Sequence, residues 1–129
     1  MRNDREYEIC KTIATYLKLQ YPNIIYHFDY AGLNLSKAQT GKMKAIQGNK
    51  GWPDLFIAEK KGTRFGLFLE IKKEDEVIYL KDGYTPKNEH INNQFNMLVD
   101  LEYKGYIADF AIGFDDAKEK IDRYLRLKT

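Results

Sequence analysis

The chain has 129 residues, 43% of them hydrophobic and 31% charged, with a net charge of +2. That length favours one domain with one modest core, and the near-neutral balance excludes a globally basic nucleic-acid binder, so any grip on a polyanion must be local. The single cysteine, Cys10, excludes an intrachain disulfide.

No stretch approaches the ~20 apolar residues that span a bilayer, so no membrane partner is expected. The charged opening from Met1 to Glu8 is followed by no apolar run, so the expectation is a cytoplasmic protein without a secretory leader.

Ile9, Ile13 and Leu17 recur at helical spacing, with Cys10, Ala14 and Tyr16 nearby. They predict an amphipathic helix over about 4–20, capped by Asn3 or Asp4 and ended by Pro22. Cys10 belongs to that apolar pattern and reads as a small core residue. Ile24-Ile25-Tyr26-His27-Phe28 is β-branched and aromatic and reads as a strand.

Residues 29–53 are rich in turn-forming pairs: Ala31-Gly32-Leu33-Asn34, Thr40-Gly41, Gly48-Asn49 and Lys50-Gly51. A short helix over Ser36 to Ile46 would anchor on Leu35, Ala38 and Met43. Lys37, Lys42, Lys44 and Lys50 fall in this segment, and no acidic residue lies between Asp29 and Asp54. A solvated loop is the bland reading. The position of the lysines directly before Asp54 makes a phosphate grip the functional one.

Asp54 to Ala58 and Phe65 to Lys72 form two strands of a hairpin around Lys60-Lys61-Gly62-Thr63. Their nearly continuous apolar character argues for a sheet covered on both faces, an α/β arrangement. Residues 73–82 read as a flap at the sheet edge. Thr85-Pro86 resembles an N-cap followed by proline at the first helical position. Ile91, Gln94, Phe95, Leu98 and Leu101 then share one helical face up to about Lys104, before Gly105. Tyr106 to Gly113 is the next strand. Asp115 or Asp116 would cap a last helix with Ile121, Tyr124, Leu125 and Leu127 inward. The expected order is α-β-β-β-α-β-α.

Gly51-Trp52-Pro53-Asp54, followed sixteen positions after Asp54 by Glu70-Ile71-Lys72, carries the chemistry. The hairpin brings Asp54 beside the end of the second strand, and Glu70 and Lys72, two apart, point to one face. Two carboxylates suit a hard divalent cation such as Mg²⁺, and a lysine beside it can orient water or stabilise a charged phosphate. The bland alternative is an ion pair at a strand end.

At 100° per residue Glu6 shares the apolar face of the first helix, whereas Glu8 points to solvent. Glu6 is therefore the helical candidate, with a helix-dipole charge as its alternative. Gln94 lies between Ile91 and Leu98, where an inward amide needs partners. These could be water, Lys72 or a phosphate, unless the residue sits at the helix rim. His27 and His90 lack ligand spacing, which argues against zinc; His90, near Gln94, could reach substrate, with a surface histidine as the bland reading. Trp52 could stack on a base or plug the core.

Gly51-x-Pro53-Asp54, a strand, Glu70-Ile71-Lys72, then a helix carrying Gln94 and ending at Gly105-Tyr106 resembles the VRR-NUC (virus-type replication–repair nuclease) family of the PD-(D/E)xK nucleases. The opening helix with Glu6 and Ile9 and the closing Asp115-Asp116-Ala117 helix are similar too. The resemblance implies a restriction-endonuclease-like domain over residues 1–129. It implies Mg²⁺ or Mn²⁺ held by Asp54, Glu70 and the Ile71 carbonyl, with Glu6 contributing directly or through water. Lys72 would be the catalytic lysine. Stand-alone members, many of them phage-encoded, look like homodimeric, structure-selective DNA endonucleases with four-way junctions as substrate. The site alone leaves other readings open: a flap, nicking or restriction-type nuclease, or a catalytically silent DNA-binding module. The segment from Glu74 to Pro86 departs from the family pattern, as a dimerisation hairpin or a substrate flap.

Overall fold

The computed structural model describes residues 4–29 and 35–127. The Asn3 cap and the Ala31–Asn34 turn lie outside them. Helix α1 spans Asp4–Gln20, followed by strand β1 at Tyr26–Phe28 and helix α2 at Lys37–Ile46. Strands β2 (Leu55–Ile57) and β3 (Leu67–Lys72) come next, then helix α3 (Glu89–Tyr103), strand β4 (Ile107–Ile112) and helix α4 (Gly113–Leu125).

The strands form one mixed sheet in the order β1-β2-β3-β4. The first two junctions are antiparallel and the third, between β3 and β4, is parallel. A parallel junction needs a crossover, and α3 supplies it. Every residue of β3 is buried, as its apolar run requires for a central strand covered on both faces.

The period of two divides the strands between two cores. Leu67, Leu69 and Ile71 pack with Ile9, Ile13 and Leu17 of α1 and with Ala117, Ile121 and Tyr124 of α4. Phe68 faces the other way, against Met97 and Leu101 of α3. Ile78, Ile91, Leu98 and Phe110 extend that second core. Ile78 therefore ties the 73–82 excursion to α3, and Tyr79 bridges Pro86 within it.

Several local expectations are corrected. Thr85-Pro86 does not start α3: Asp82 takes the Thr85 N–H at 2.9 Å, and Asn88 is the cap, accepting from the Ile91 N–H at 2.9 Å. Helix α4 begins at Gly113 without a side-chain cap, and Asp116 Oδ2 instead accepts from the Ile112 N–H at 2.8 Å. Leu127 is exposed. Helix α2 forms on a Ser36–Gln39 capping box but buries none of its residues, and its expected anchor Ala38 is exposed. Among the described residues no helix is long and apolar enough to cross a membrane.

Candidate active site

The hairpin register sets the site. Leu55 pairs with Leu69, so one step further along the antiparallel ladder Asp54 stands opposite Glu70. Asp54 and Phe56 share a face, as do Phe68, Glu70 and Lys72, and both sets face α3. Asp54 Oδ2 accepts a hydrogen bond from the Ile71 N–H at 2.7 Å, fixing the carboxylate against the β3 backbone. Lys72 Nζ lies 3.6 Å from Glu70 Oε2.

These charges are deep. Glu70 is 2% exposed, Lys72 4% and Asp54 8%. Ionised groups at such depth need partners, and each carboxylate here has at least one. Gln94 on α3 is buried too, at 7% exposure. Its Oε1 has no hydrogen-bond partner among the described residues. A buried amide oxygen left this way is the signature of a site built for something further.

Gly51 closes the arrangement. Its φ of +79° lies in the left-handed region, and a Cβ there would meet the Asn93 carbonyl oxygen at 2.7 Å and the Gln94 nitrogen at 3.0 Å. The loop bearing Pro53 and Asp54 thus rests directly on the α3 backbone beside Gln94, at a distance only glycine allows.

Glu6 is buried and Glu8 exposed, as helical phase requires. Arg5, next to Glu6, pairs through Nε and Nη2 with the two carboxylate oxygens of Glu74, two residues beyond Lys72; the Nε contact is 3.0 Å. That fork ties the start of α1 to the segment just after β3, a link that local patterning did not reveal. It holds the Glu74 carboxyl well below the usual range, at about 2, chiefly through the hydrogen bond from Arg5.

Trp52 is 45% exposed, with its ring edge-on to Phe68 at 5.2 Å. Phe68 stacks on Phe56 at 4.5 Å, so the indole is braced from below and open above. Lys37, Lys42, Lys44 and Lys50 are all exposed on α2 and the segment leading to Gly51.

His90, one turn before Gln94 on α3, is exposed. Its imidazole is pushed below its ordinary value, first by partial desolvation and then by the charge of Lys72, while Glu6 and Glu76 act in the opposite sense.

The donor set can be tested against a divalent cation. Among the described residues no group of three or more His, Cys, Asp and Glu side chains is placed to hold a metal. The register sets Asp54 and Glu70 opposite one another, and Glu6 is not grouped with both of them. Mg²⁺ characteristically binds through one or two carboxylates, keeping waters and substrate oxygens for its remaining positions, so the residues fit. The all-oxygen donors also suit Mn²⁺ and disfavour softer metals.

No family model and no curated protein matches the chain. Among solved structures it is similar to one described as a "VRR_NUC domain protein", with a TM-score of 0.69 and 23% identity, covering 99% of this chain and 93% of that one. The likeness runs along nearly the whole of both chains, and the α/β fold expected from the motifs is the fold that the chain has.

Proposed function

We propose that the chain is a VRR-NUC-type nuclease of the PD-(D/E)xK kind, a single domain that hydrolyses DNA phosphodiester bonds with a divalent cation. One observation carries the reading: Asp54, Glu70 and Lys72 are all buried at one end of a hairpin, on whose Gly51 loop the backbone of α3 rests beside the buried, unpartnered Gln94 amide. A purely structural ion-pair network would not need an unpartnered buried amide beside it. The fold likeness gives independent support.

Asp54, Glu70 and the Ile71 carbonyl would hold Mg²⁺ or Mn²⁺. When bound, such a cation acidifies water and neutralises charge on the scissile phosphate. Asp54 is oriented for this by its Ile71 N–H bond. Lys72, held beside Glu70, would point its ammonium toward the attacking water or the developing negative charge. Gln94 orients that water or a phosphate oxygen. Glu6 acts from the outer side, through water.

Lys37, Lys42, Lys44 and Lys50 would hold the flanking DNA backbone. Helix α2, which buries none of its own residues, suits docking onto a polyanion rather than onto the protein core. Trp52, braced by Phe68, offers its open face to an unstacked base. Such a base occurs at branch points, which favours branched DNA, with four-way junctions foremost. A homodimer would supply the two sites that paired cuts across a junction require. Cleavage of junction, flap, nicked and linear DNA with Mg²⁺, Mn²⁺ or chelator tests the substrate, and light scattering tests the dimer. Equal cutting of linear and branched DNA would leave the nuclease and remove its selectivity.

A further inference from the structure

Arg5 stands in the first turn of α1, where a positive charge opposes the helix dipole, so local helix stability does not explain it. Its guanidinium reaches 69 positions along the chain to Glu74, with Nε 3.0 Å from Oε1 and Nη2 on Oε2. Two parallel bonds of this kind fix direction as well as distance. Glu74 is itself held. Lys72 pairs with Ile112 in the ladder between β3 and β4, and Gly113 is the next residue. Gly113 has a φ of +81°, and a Cβ there would lie 3.0 Å from Glu74 Cγ and 3.7 Å from its Cα. The Glu74 stem therefore lies over the start of α4 while its carboxylate grips α1.

The fork joins the neighbours of two buried charges. Glu6, directly after Arg5, is 8% exposed, and Lys72, two residues before Glu74, is 4% exposed. The fork itself is at the surface, with side chains 57% and 51% exposed, and an exposed ion pair adds little to global stability. Helix α1 is already anchored by Ile9, Ile13 and Leu17 in the core. No buried apolar side chain precedes Ile9 in the helix, so these anchors leave its first turn, where a helix frays, without an apolar hold. We propose that Arg5 and Glu74 are positioning residues: their fork holds the first turn of α1, and with it the Glu6 carboxylate, against the strand end that carries Lys72. Neither touches metal or substrate, and both act through Glu6 and Lys72. This rests on the nuclease reading above.

Arg5→Ala, Glu74→Ala and the double variant form a cycle that tests it. Each single change is expected to lower kcat about tenfold, the cost typical of losing a group that orients a ligand, with the KM for a four-way junction unchanged. The double variant should lose no more than either single one, because the same fork is lost in all three. Mg²⁺ binding followed by calorimetry without DNA should weaken in all three. Amide exchange at Glu8 and Ile9, whose N–H groups close the first turn, should quicken. Melting temperatures should stay close to that of wild type. Arg5→Lys keeps the charge but not the fork and should recover only part of kcat.

Losses that multiply in the double variant, or wild-type kcat and Mg²⁺ affinity in either single variant, overturn the assignment and leave the nuclease standing. So does full recovery by Arg5→Lys, which would reduce the fork to a charge. A kcat loss that comes with a large fall in melting temperature overturns it too, by making the pair part of the fold. If the wild-type protein cuts no DNA in Mg²⁺ or Mn²⁺, the nuclease reading itself falls, and the assignment with it.

Discussion

Gly51→Ala perturbs the point where the Asp54 loop meets α3. The substitution places a Cβ 2.7 Å from the Asn93 oxygen, 2.9 Å from the Asn93 carbonyl carbon and 3.0 Å from the Gln94 nitrogen. All three are backbone atoms of a packed helix, so no side chain can swing away. The left-handed φ of +79° adds about 1–2 kcal/mol for any residue with a Cβ. Overpacking of this kind typically adds about 1–3 kcal/mol. The expected loss is therefore about 2–5 kcal/mol. With an unfolding entropy of ~2.1 cal/mol/K per residue, a chain of this length loses about 4 °C for each kcal/mol, giving a fall of about 8–20 °C. Relief of the clash must also push Asp54 away from Gln94, so activity should drop at temperatures where the variant is still folded. Gly48→Ala is the control: nothing lies within 4 Å of its Cβ position, and its stability should stay within about 0.5 kcal/mol of wild type. Thermal and denaturant unfolding of both variants, followed by a cleavage assay, reads each term. A Gly51→Ala protein as stable and active as Gly48→Ala would refute the close approach of loop and helix.

Lys72→Met should abolish cleavage and also destabilise the protein by about 3–5 kcal/mol, because Glu70 would be left charged at 2% exposure. Adding Glu70→Gln should restore part of that in urea unfolding. Mg²⁺ at ten times its dissociation constant should add about 1.4 kcal/mol and raise the melting temperature by about 5 °C in a thermal-shift assay, an effect absent from Asp54→Asn. Each of Lys37, Lys42, Lys44 and Lys50 changed to Ala should reduce the salt slope of DNA binding by about 1 if it contacts a phosphate. A slope unchanged in all four variants would remove α2 from the interface. The Tyr21 hydroxyl, which donates to Asp122 at 2.7 Å, is pushed up to about 12, by burial first and then by that hydrogen bond. Its folded-state value is raised, so its stabilisation is complete below the ordinary tyrosine range near 10 and is lost as pH rises through about 12. The stability difference between wild type and Tyr21→Phe should therefore shrink between those limits, and a constant difference would contradict the bond.

The hairpin bearing Asp54, Glu70 and Lys72 was legible because charged residues inside apolar strands are conspicuous, and a period of two tells which face they take. Glu6 was separated from Glu8 by helical phase alone, and the structure buries the first and exposes the second. Gln94 was legible for the same reason, as an amide set between Ile91 and Leu98. What failed was local chemistry overridden by neighbours. Thr85 looked like a cap, but Asp82 takes its N–H and Pro86 is engaged with Tyr79, so α3 starts later at Asn88. Asp116 looked like a cap and reaches back to Ile112 instead. Ala38 and Leu127 fitted apolar patterns and are exposed, one on a helix with no buried face and one past the end of α4. The Arg5–Glu74 fork and the surroundings of His90 join residues far apart in the chain, and no spacing rule signals them.

The central claim is that Asp54, Glu70 and Lys72 make a metal-dependent DNA-cutting site. The most direct test is cleavage of labelled four-way junction, flap, nicked and linear DNA by wild type and Asp54→Asn, each in Mg²⁺, Mn²⁺ and chelator. Wild type should cut in either metal, most on the junction, and neither wild type in chelator nor Asp54→Asn should cut. Cutting that survives chelator or Asp54→Asn, or no cutting of any DNA by the wild-type protein in either metal, would contradict it.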